Sequence, residues 1–306
     1  MLEIAIMIEG QNGLTWPRWQ KVVRLVEGLG FVGLFRSDHF TNSRPPDIES
    51  LELWTSLTWL AANTERIEFG PLVTPFSFRH PVHTARMASA LDDLSGGRLI
   101  LGLGAGWQER EHNLFGFELL EPDSRFDRFQ EGMQVVTRLL QSKEPVAFEG
   151  QYYQLRGASL LPRPQRPGGP RILVGGNGIK RTLSYVVRYA EEWNCVSLVP
   201  QDFARLNSRL DQMLMEAGRD PGLVRRSMMT GCLFGKDDMA LQKKLTARGR
   251  TLEQLHQHGT IAGDVSTVKA QLAGLERAGL QRVMLQWLDL DDMEGLEALA
   301  GGVLSH

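Results

Sequence analysis

Cysteine is nearly missing from this sequence: Cys195 and Cys232 are the only two in 306 residues. They have no metal-ligand spacing and sit in apolar runs, which fits buried free thiols in a reducing compartment. An excess of one charge sign is missing as well. Lysine and arginine number 34 against 36 acidic residues, a formal charge of −2, with the two signs interspersed. That argues against nucleic acid or a membrane surface as the main partner. No apolar run is long enough to cross a bilayer, and Met-Leu-Glu passes at once into a strand pattern without a basic segment or a long apolar stretch. A soluble, cytoplasmic protein is expected. Several catalytic signatures are also missing: there is no Gly-x-Ser-x-Gly elbow, no phosphate-binding P-loop and no His-Glu-x-x-His.

What is present is regular alternation of strand and helix. Glu3 to Glu9 is a short, almost continuous apolar run, as expected of a strand buried on both faces. Strand patterns follow at Phe31–Arg36, after Arg66, from Arg98, and at Arg171–Val174, Trp193–Leu198, Val224–Phe234 and Arg282–Trp287. Helical patterns separate them, and Thr260 to Asp264 reads as the cap of a helix from Val265. Eight apolar strands divided by helices predict an α/β fold with parallel pairing, a (β/α)8 TIM barrel forming one domain over residues 1–306. An open doubly wound sheet is the competing arrangement. The count of eight, and a last strand near the C-terminus that can pair with the first, favour closure. Residues 145–170, rich in proline and glycine, are expected to form an excursion with a small β-hairpin between strands four and five.

In a closed parallel barrel the active site lies at the carboxyl ends of the strands. There the sequence places two glycine-rich loops, each ahead of a helix. Gly175-Gly176-Asn177-Gly178 is either a phosphate site on a helix start or a tight turn with glycines for geometry. Gly104-Ala105-Gly106-Trp107 resists a dinucleotide reading. With Gly102 and Gly104 in place, the Gly-x-Gly-x-x-Gly pattern needs glycine where Trp107 stands, on a first strand rather than a fourth. His39 follows Asp38 at the end of strand two. It is either a proton-exchanging group that a carboxylate orients or a hydrogen-bonded support under a loop. His80 reads as a cap. Glu109 and His112 lie one turn apart without a third ligand, so no metal site is expected. Trp16, Trp107, Trp287, Phe76 and Phe78 suggest a flat apolar pocket at the barrel mouth, with core packing as the alternative. The charged face from Asp123 to Glu131 reads as solvated helix surface.

Longer runs carry more. Phe69-Gly-Pro-Leu-Val-Thr-Pro-Phe-Ser-Phe-Arg-His-Pro81, Leu91-Asp-Asp-Leu-Ser-Gly-Gly-Arg98 and Gly102-Leu-Gly-Ala-Gly-Trp-Gln-Glu-Arg-Glu111 are three of them. With Ser37-Asp-His39, Phe126-Asp-Arg-Phe129, Glu149-Gly-Gln-Tyr-Tyr153, Leu161-Pro-Arg-Pro164 and Arg188-Tyr-Ala-Glu-Glu-Trp-Asn194, they cover the chain to strand six. Together they resemble the bacterial luciferase-like monooxygenase superfamily, and within it the branch of F420-dependent oxidoreductases.

The resemblance implies a TIM barrel, a homodimer, and a deazaflavin or flavin lying across the strand ends. The ring would rest on a bulge at Leu72-Val73 beside Thr74, often built with a non-proline cis peptide. Gly104, Ala105, Gly106 and Trp107 would line it, and Gly175, Gly176, Asn177 and Gly178 would hold the phosphate. His39 would assist proton transfer beside Asp38. Several relatives have glutamate where Trp107 stands, so Glu109 or Glu111 is the expected substitute. Arg79, Lys180 and Arg181 would meet an anionic cofactor tail. Three functions follow. The first is hydride transfer between coenzyme F420 and a small organic substrate. The second is a reduced-FMN monooxygenase, and the third is cofactor binding without catalysis.

Overall fold

The computed structural model describes residues 1–304; the last two positions of the expected 1–306 unit lie outside the described residues. Its eight main strands are, in chain order, Glu3–Ile8, Gly33–Arg36, Glu68–Pro71, Ile100–Gly104, Arg171–Gly175, Glu192–Val196, Arg225–Phe234 and Arg282–Gln286. They are called strands one to eight below. All pair in parallel, in the order three-two-one-eight-seven-six-five-four. Strand one against strand eight, in the register Glu3–Arg282 to Met7–Gln286, joins the two ends of the chain. Strand three breaks at a cis peptide between Leu72 and Val73. The chain then resumes as Thr74–Pro75, which pairs with Leu103 and Gly104 of strand four. Phe69 also bridges to Leu99. The sheet is thereby nearly closed into a barrel with helices outside, as the alternating pattern predicts.

Side-chain alternation along each strand divides the core. Ala5 and Met7 join Phe35, Leu72, Ile100, Leu173 and Met284 in a compact cluster inside the barrel. Ile4, Ile6 and Ile8 point the other way, into the large cluster under the helices with Trp19, Leu57 and Leu285. Below the inner cluster, at the amino ends of the strands, the same inward register holds charges. Arg282 meets Glu3 at 2.6 Å and also Glu68, and Arg225 reaches Glu68 at 3.3 Å.

The excursion between strands four and five contains the expected hairpin, Val146–Glu149 against Gln154–Ala158. Other expectations need correction. Ile261–Gly263 is a short strand parallel to Cys232–Phe234 rather than only a helix cap, although Asp264 does cap the next helix through Thr267 N. The charged face from Asp123 to Glu131 is not merely solvated. Glu131 accepts the backbone N–H groups of Gln151, Tyr152 and Tyr153, and Arg125 donates to the Gly106 carbonyl at 3.0 Å. Its helix, Pro122–Gln141, therefore fastens both the hairpin and the loop after strand four. These contacts are long-range, and helical periodicity carries no trace of them. Cys195 is buried and Cys232 half-buried; burial pushes both thiols up, Cys232 to about 12. Among the described residues no helix is long and apolar enough to cross a membrane.

Candidate active site

Strand two ends at Arg36 and delivers Ser37, Asp38 and His39 to the mouth of the barrel. The two expected acid–base neighbours part company there. Asp38 is buried, accepts from Thr74 Oγ1 at 2.6 Å and is paired with Arg79, which also reaches Glu52 at 3.1 Å. It fixes the strand-three bulge and does not bond to His39. The expectation that Asp38 orients His39 is therefore corrected: past the end of strand two, Asp38 is taken up by Thr74 and Arg79. His39 instead meets Glu111, Nδ1 to Oε1 at 2.7 Å.

Glu111 comes from the helix Glu109–Phe115 that follows the loop after strand four. Its carboxylate is 1% exposed, and its second oxygen accepts the Phe40 N–H at 2.9 Å. Burial works to raise its pKa, but the hydrogen bonds from His39, Gln108 and Phe40 and the His39 charge outweigh it and hold it below the ordinary value. Burial likewise disfavours the charged imidazole of His39. The bond and charge of Glu111, helped by Glu9 and Asp38, win, and its pKa lies above the ordinary value. Each group thus stabilises the charged form of the other. Glu109 is exposed at the start of the same short helix and forms no hydrogen bond or ion pair with His39 or Glu111. Of the two glutamates expected to stand in, the fold selects Glu111, and the Glu109 expectation fails because a helix turns residues two apart to different sides. Gln108 completes the shell: its amide donates to the Thr41 carbonyl at 2.9 Å and lies 3.4 Å from His39 Nδ1.

Beside this pair lies a flat floor. After the cis peptide the Val73 side chain rests across the ends of strands four and five. A Cβ on Gly104 would stand 2.5 Å from Val73 Cγ2, and one on Gly175 would stand 3.4 Å from Cγ1. Glycine at 104 is thus required by close approach. Trp107 is 63% exposed and stands edge-on to the His39 ring, 5.7 Å between centroids at 84°. Farther along, Gly176 has φ +127°, a conformation that favours glycine. The Asn177 side chain is already engaged, donating to the Val196 carbonyl and accepting the Val196 N–H, both at 2.9 Å. It ties the turn to strand six, so a phosphate there would meet backbone rather than the amide.

The cationic candidates also sort themselves. Arg79 is consumed by Asp38, and Arg181 pairs with Asp123 while lying over Phe126. Lys180 is exposed and forms no ion pair among the described residues. Of the aromatics, Phe76 packs on Phe129 in the core and Trp287 is buried, so neither walls the mouth as expected. His80 caps its helix by accepting the Val82 N–H.

Sequence reasoning missed a polar network at the ends of strands one, two and eight. Glu9 accepts Gln11 Nε2 at 2.8 Å and Gln286 Nε2 at 2.6 Å, and Ser37 Oγ donates to Gln11 Oε1 at 2.8 Å. The inward register of strands one, two and eight brings these residues together. The one signal in the sequence was that all four lie at strand ends.

The comparisons bear on this geometry. A family model described as luciferase-like monooxygenase matches residues 3–285. The chain belongs to the luciferase-like monooxygenase family. It is an oxidoreductase of that family. An F420-dependent glucose-6-phosphate dehydrogenase of Kineococcus radiotolerans is 28% identical over 285 residues, covering 84% of this chain and 83% of that one. Other curated relatives, 32% identical over 249 residues, are longer, and this chain spans 61% of their length. An F420-dependent secondary alcohol dehydrogenase in complex with an F420-acetone adduct superposes with a TM-score of 0.85 at 18% identity, over 99% of this chain and 98% of that one. The oxygenating constituent of 3,6-diketocamphane monooxygenase from Pseudomonas putida, in complex with FMN, gives 0.77 at 16% identity, over 99% and 98%. At those identities the two structures speak for the shared fold.

Proposed function

We propose that this family member binds coenzyme F420 across the ends of strands three, four and five and transfers a hydride between it and a small organic substrate. The observation that carries the proposal is the His39–Glu111 contact of 2.7 Å, half-buried beside the Val73 floor. The residues present suit a deazaflavin. The glycines at 104 and 175 leave room for Val73 to form a flat apolar surface. At the turn of strand five, the Asn177 and Gly178 N–H groups donate to no other group among the described residues. Free N–H groups ahead of the helix Thr182–Tyr189 suit a phosphate. Once bound, the cofactor supplies the hydride chemistry. The chain's own part is to seat it, exclude water, and hold a proton at the His39 imidazole, whose charge Glu111 stabilises. The named dehydrogenase relative supports F420.

The runner-up is a reduced-FMN monooxygenase, favoured by the family's description and by the FMN-bound structural neighbour. Parallel titration with F420 and FMN, followed by visible absorbance and fluorescence, separates the two. Tight F420 binding without oxygen uptake in turnover supports the proposal; FMN binding with oxygen consumption replaces it. Should His39→Ala and Trp107→Ala leave every turnover unchanged while cofactor still binds, the chain is a carrier rather than an enzyme site. Assembly as a homodimer belongs to the same reading, and light scattering of the purified chain tests it.

A further inference from the structure

The loop that leaves His39 is held unevenly. Its first residues are gripped from the start of the helix Glu109–Phe115. Glu111 takes His39 and the Phe40 N–H, and the Gln108 amide donates to the Thr41 carbonyl at 2.9 Å. Its last residues are fastened to the loop after strand one. The Gly13 N–H donates to the Glu49 carbonyl at 2.9 Å, and Ser50 bridges to Leu14 while its hydroxyl donates to the His39 carbonyl at 2.7 Å. Between those anchors the chain is almost free. Ser43, Arg44, Pro45 and Pro46 are exposed and form no hydrogen bond or ion pair among the described residues. One side chain of the helix reaches across to this stretch. Arg110 holds the Asp47 carboxylate with both ends of its guanidinium, at 2.7 Å each. It donates as well to the Thr41 hydroxyl at 3.1 Å and to the Asn42 carbonyl at 2.9 Å. The Thr41 hydroxyl in turn donates to Asp47.

Two grips from one short helix thus differ in kind. The Glu111 carboxylate is shut away from solvent, whereas Asp47 is 54% exposed and Arg110 25%. An exposed ion pair is weak and is screened by salt, while a buried one is screened much less. The outer grip therefore lets go first, and the anchors on either side of it serve as hinges. We propose that residues 43–48 form a flap at the rim of the mouth and that Arg110 is the positioning residue that latches it shut, so that release of Asp47 opens the way to the His39 imidazole. The bonds from Arg110 and Thr41 hold the Asp47 carboxyl down to about 2, so the latch stays charged across the neutral range and salt rather than pH loosens it. That the flap admits the molecules an oxidoreductase acts on rests on the functional reading above; that it gates the imidazole does not.

The test uses the full chain without cofactor and reads access to His39 directly. Diethyl pyrocarbonate acylates neutral imidazole, here at Nε2, the nitrogen that Glu111 does not hold. Peptide mass mapping gives the rate at each histidine. Rates are followed over a range of pH and compared at full deprotonation, so that a change in protonation is not counted as a change in access. Asp47→Asn and Arg110→Gln each remove the latch and are expected to speed modification of His39 about 3- to 10-fold, as the loss of a half-exposed two-point ion pair allows. The rate at exposed His83 is expected to stay the same. In wild type the His39 rate is expected to rise between low salt and about 1 M salt, and in Asp47→Asn to stay flat. Asp202→Asn, which releases the exposed Arg205–Asp202 pair elsewhere, is expected to behave as wild type, with circular dichroism confirming that all three variants fold. A His39 rate equal in wild type and both latch variants overturns the proposal. So does a rate that rises with salt as steeply in Asp47→Asn as in wild type. A second arm titrates wild type with F420. If it binds none while the His39 rates respond as expected, the flap stands and the cofactor reading fails.

Discussion

The two ends of this barrel handle charge in opposite ways. At the amino end, inward-facing Glu3, Glu68 and Glu192 meet Arg171, Arg225 and Arg282. Arg282 Nε lies 2.8 Å from Glu3, and Arg171 and Arg225 each lie 3.3 Å from Glu68. Cations stand around every acid there, and Glu192 is so deeply buried that desolvation raises its pKa despite Arg282 at 3.6 Å. At the carboxyl end Asp38 is held in the same way by Arg79, but its neighbours are held differently. Glu9 is fastened by two neutral amides, and His39 and Glu111 form a pair whose charge depends on a proton. Locked charge makes a plug and pre-set charge makes a site. The register that carries Glu3 inward at one end carries Glu9 inward at the other, so the contrast is chemical and not topological.

The largest effect should come from breaking the plug. Arg282→Met takes away the cation closest to Glu192 and leaves Arg225 between it and Glu68. Removing one partner of a buried ion pair costs about 3–5 kcal/mol. Urea denaturation should show that loss, while F420 affinity of the folded fraction stays at the wild-type value. A loss of affinity matching the loss of stability would mean the two ends are not separable.

Next comes the poised pair. Glu111→Gln keeps the shape and removes the charge that holds the His39 proton. Turnover should fall about 100-fold, the lower range for losing general acid–base assistance, with cofactor affinity nearly unchanged. An undiminished rate would show that His39 needs no carboxylate. Third is the floor: Gly104→Ala drives a methyl to 2.5 Å from Val73 Cγ2. Overpacking of this kind costs about 1–3 kcal/mol. It should appear as weaker cofactor binding by equilibrium titration, with the plug untouched.

Much of this frame was legible beforehand, and the limits are physical. The apolar runs and their number announced the barrel, because strands buried on both faces have no other composition available. The long motifs announced the cis peptide at Leu72-Val73, and it is there. The partner of His39 was not legible. Asp38 is adjacent in sequence, yet it is taken up by Arg79, while Glu111 arrives from 72 residues away. The plug was equally hidden: Glu3, Glu68, Arg225 and Arg282 read singly as strand-end charges, and only the inward register of a closed sheet gathers them.

The smallest predicted effect sharpens the comparison by pH alone. The folded pKa of His39 is raised above its unfolded value of about 6.5. Its stabilising contribution is therefore fully present below about pH 6.5 and is lost as pH rises through the folded value. Glu111 is lowered, so its contribution is present above its unfolded value of about 4.3 and is lost as pH falls through the folded one. Between those limits both groups are charged and the pair is intact. The stability difference between wild type and His39→Gln, measured by urea denaturation, should be flat from about pH 5 to 6 and shrink toward pH 8.5. Arg282→Met should show no such decline with rising pH, because guanidinium keeps its proton throughout that range. A difference for His39→Gln that stays constant with pH would mean the imidazole is held neutral in the folded protein, and the mouth would then be as fixed as the plug.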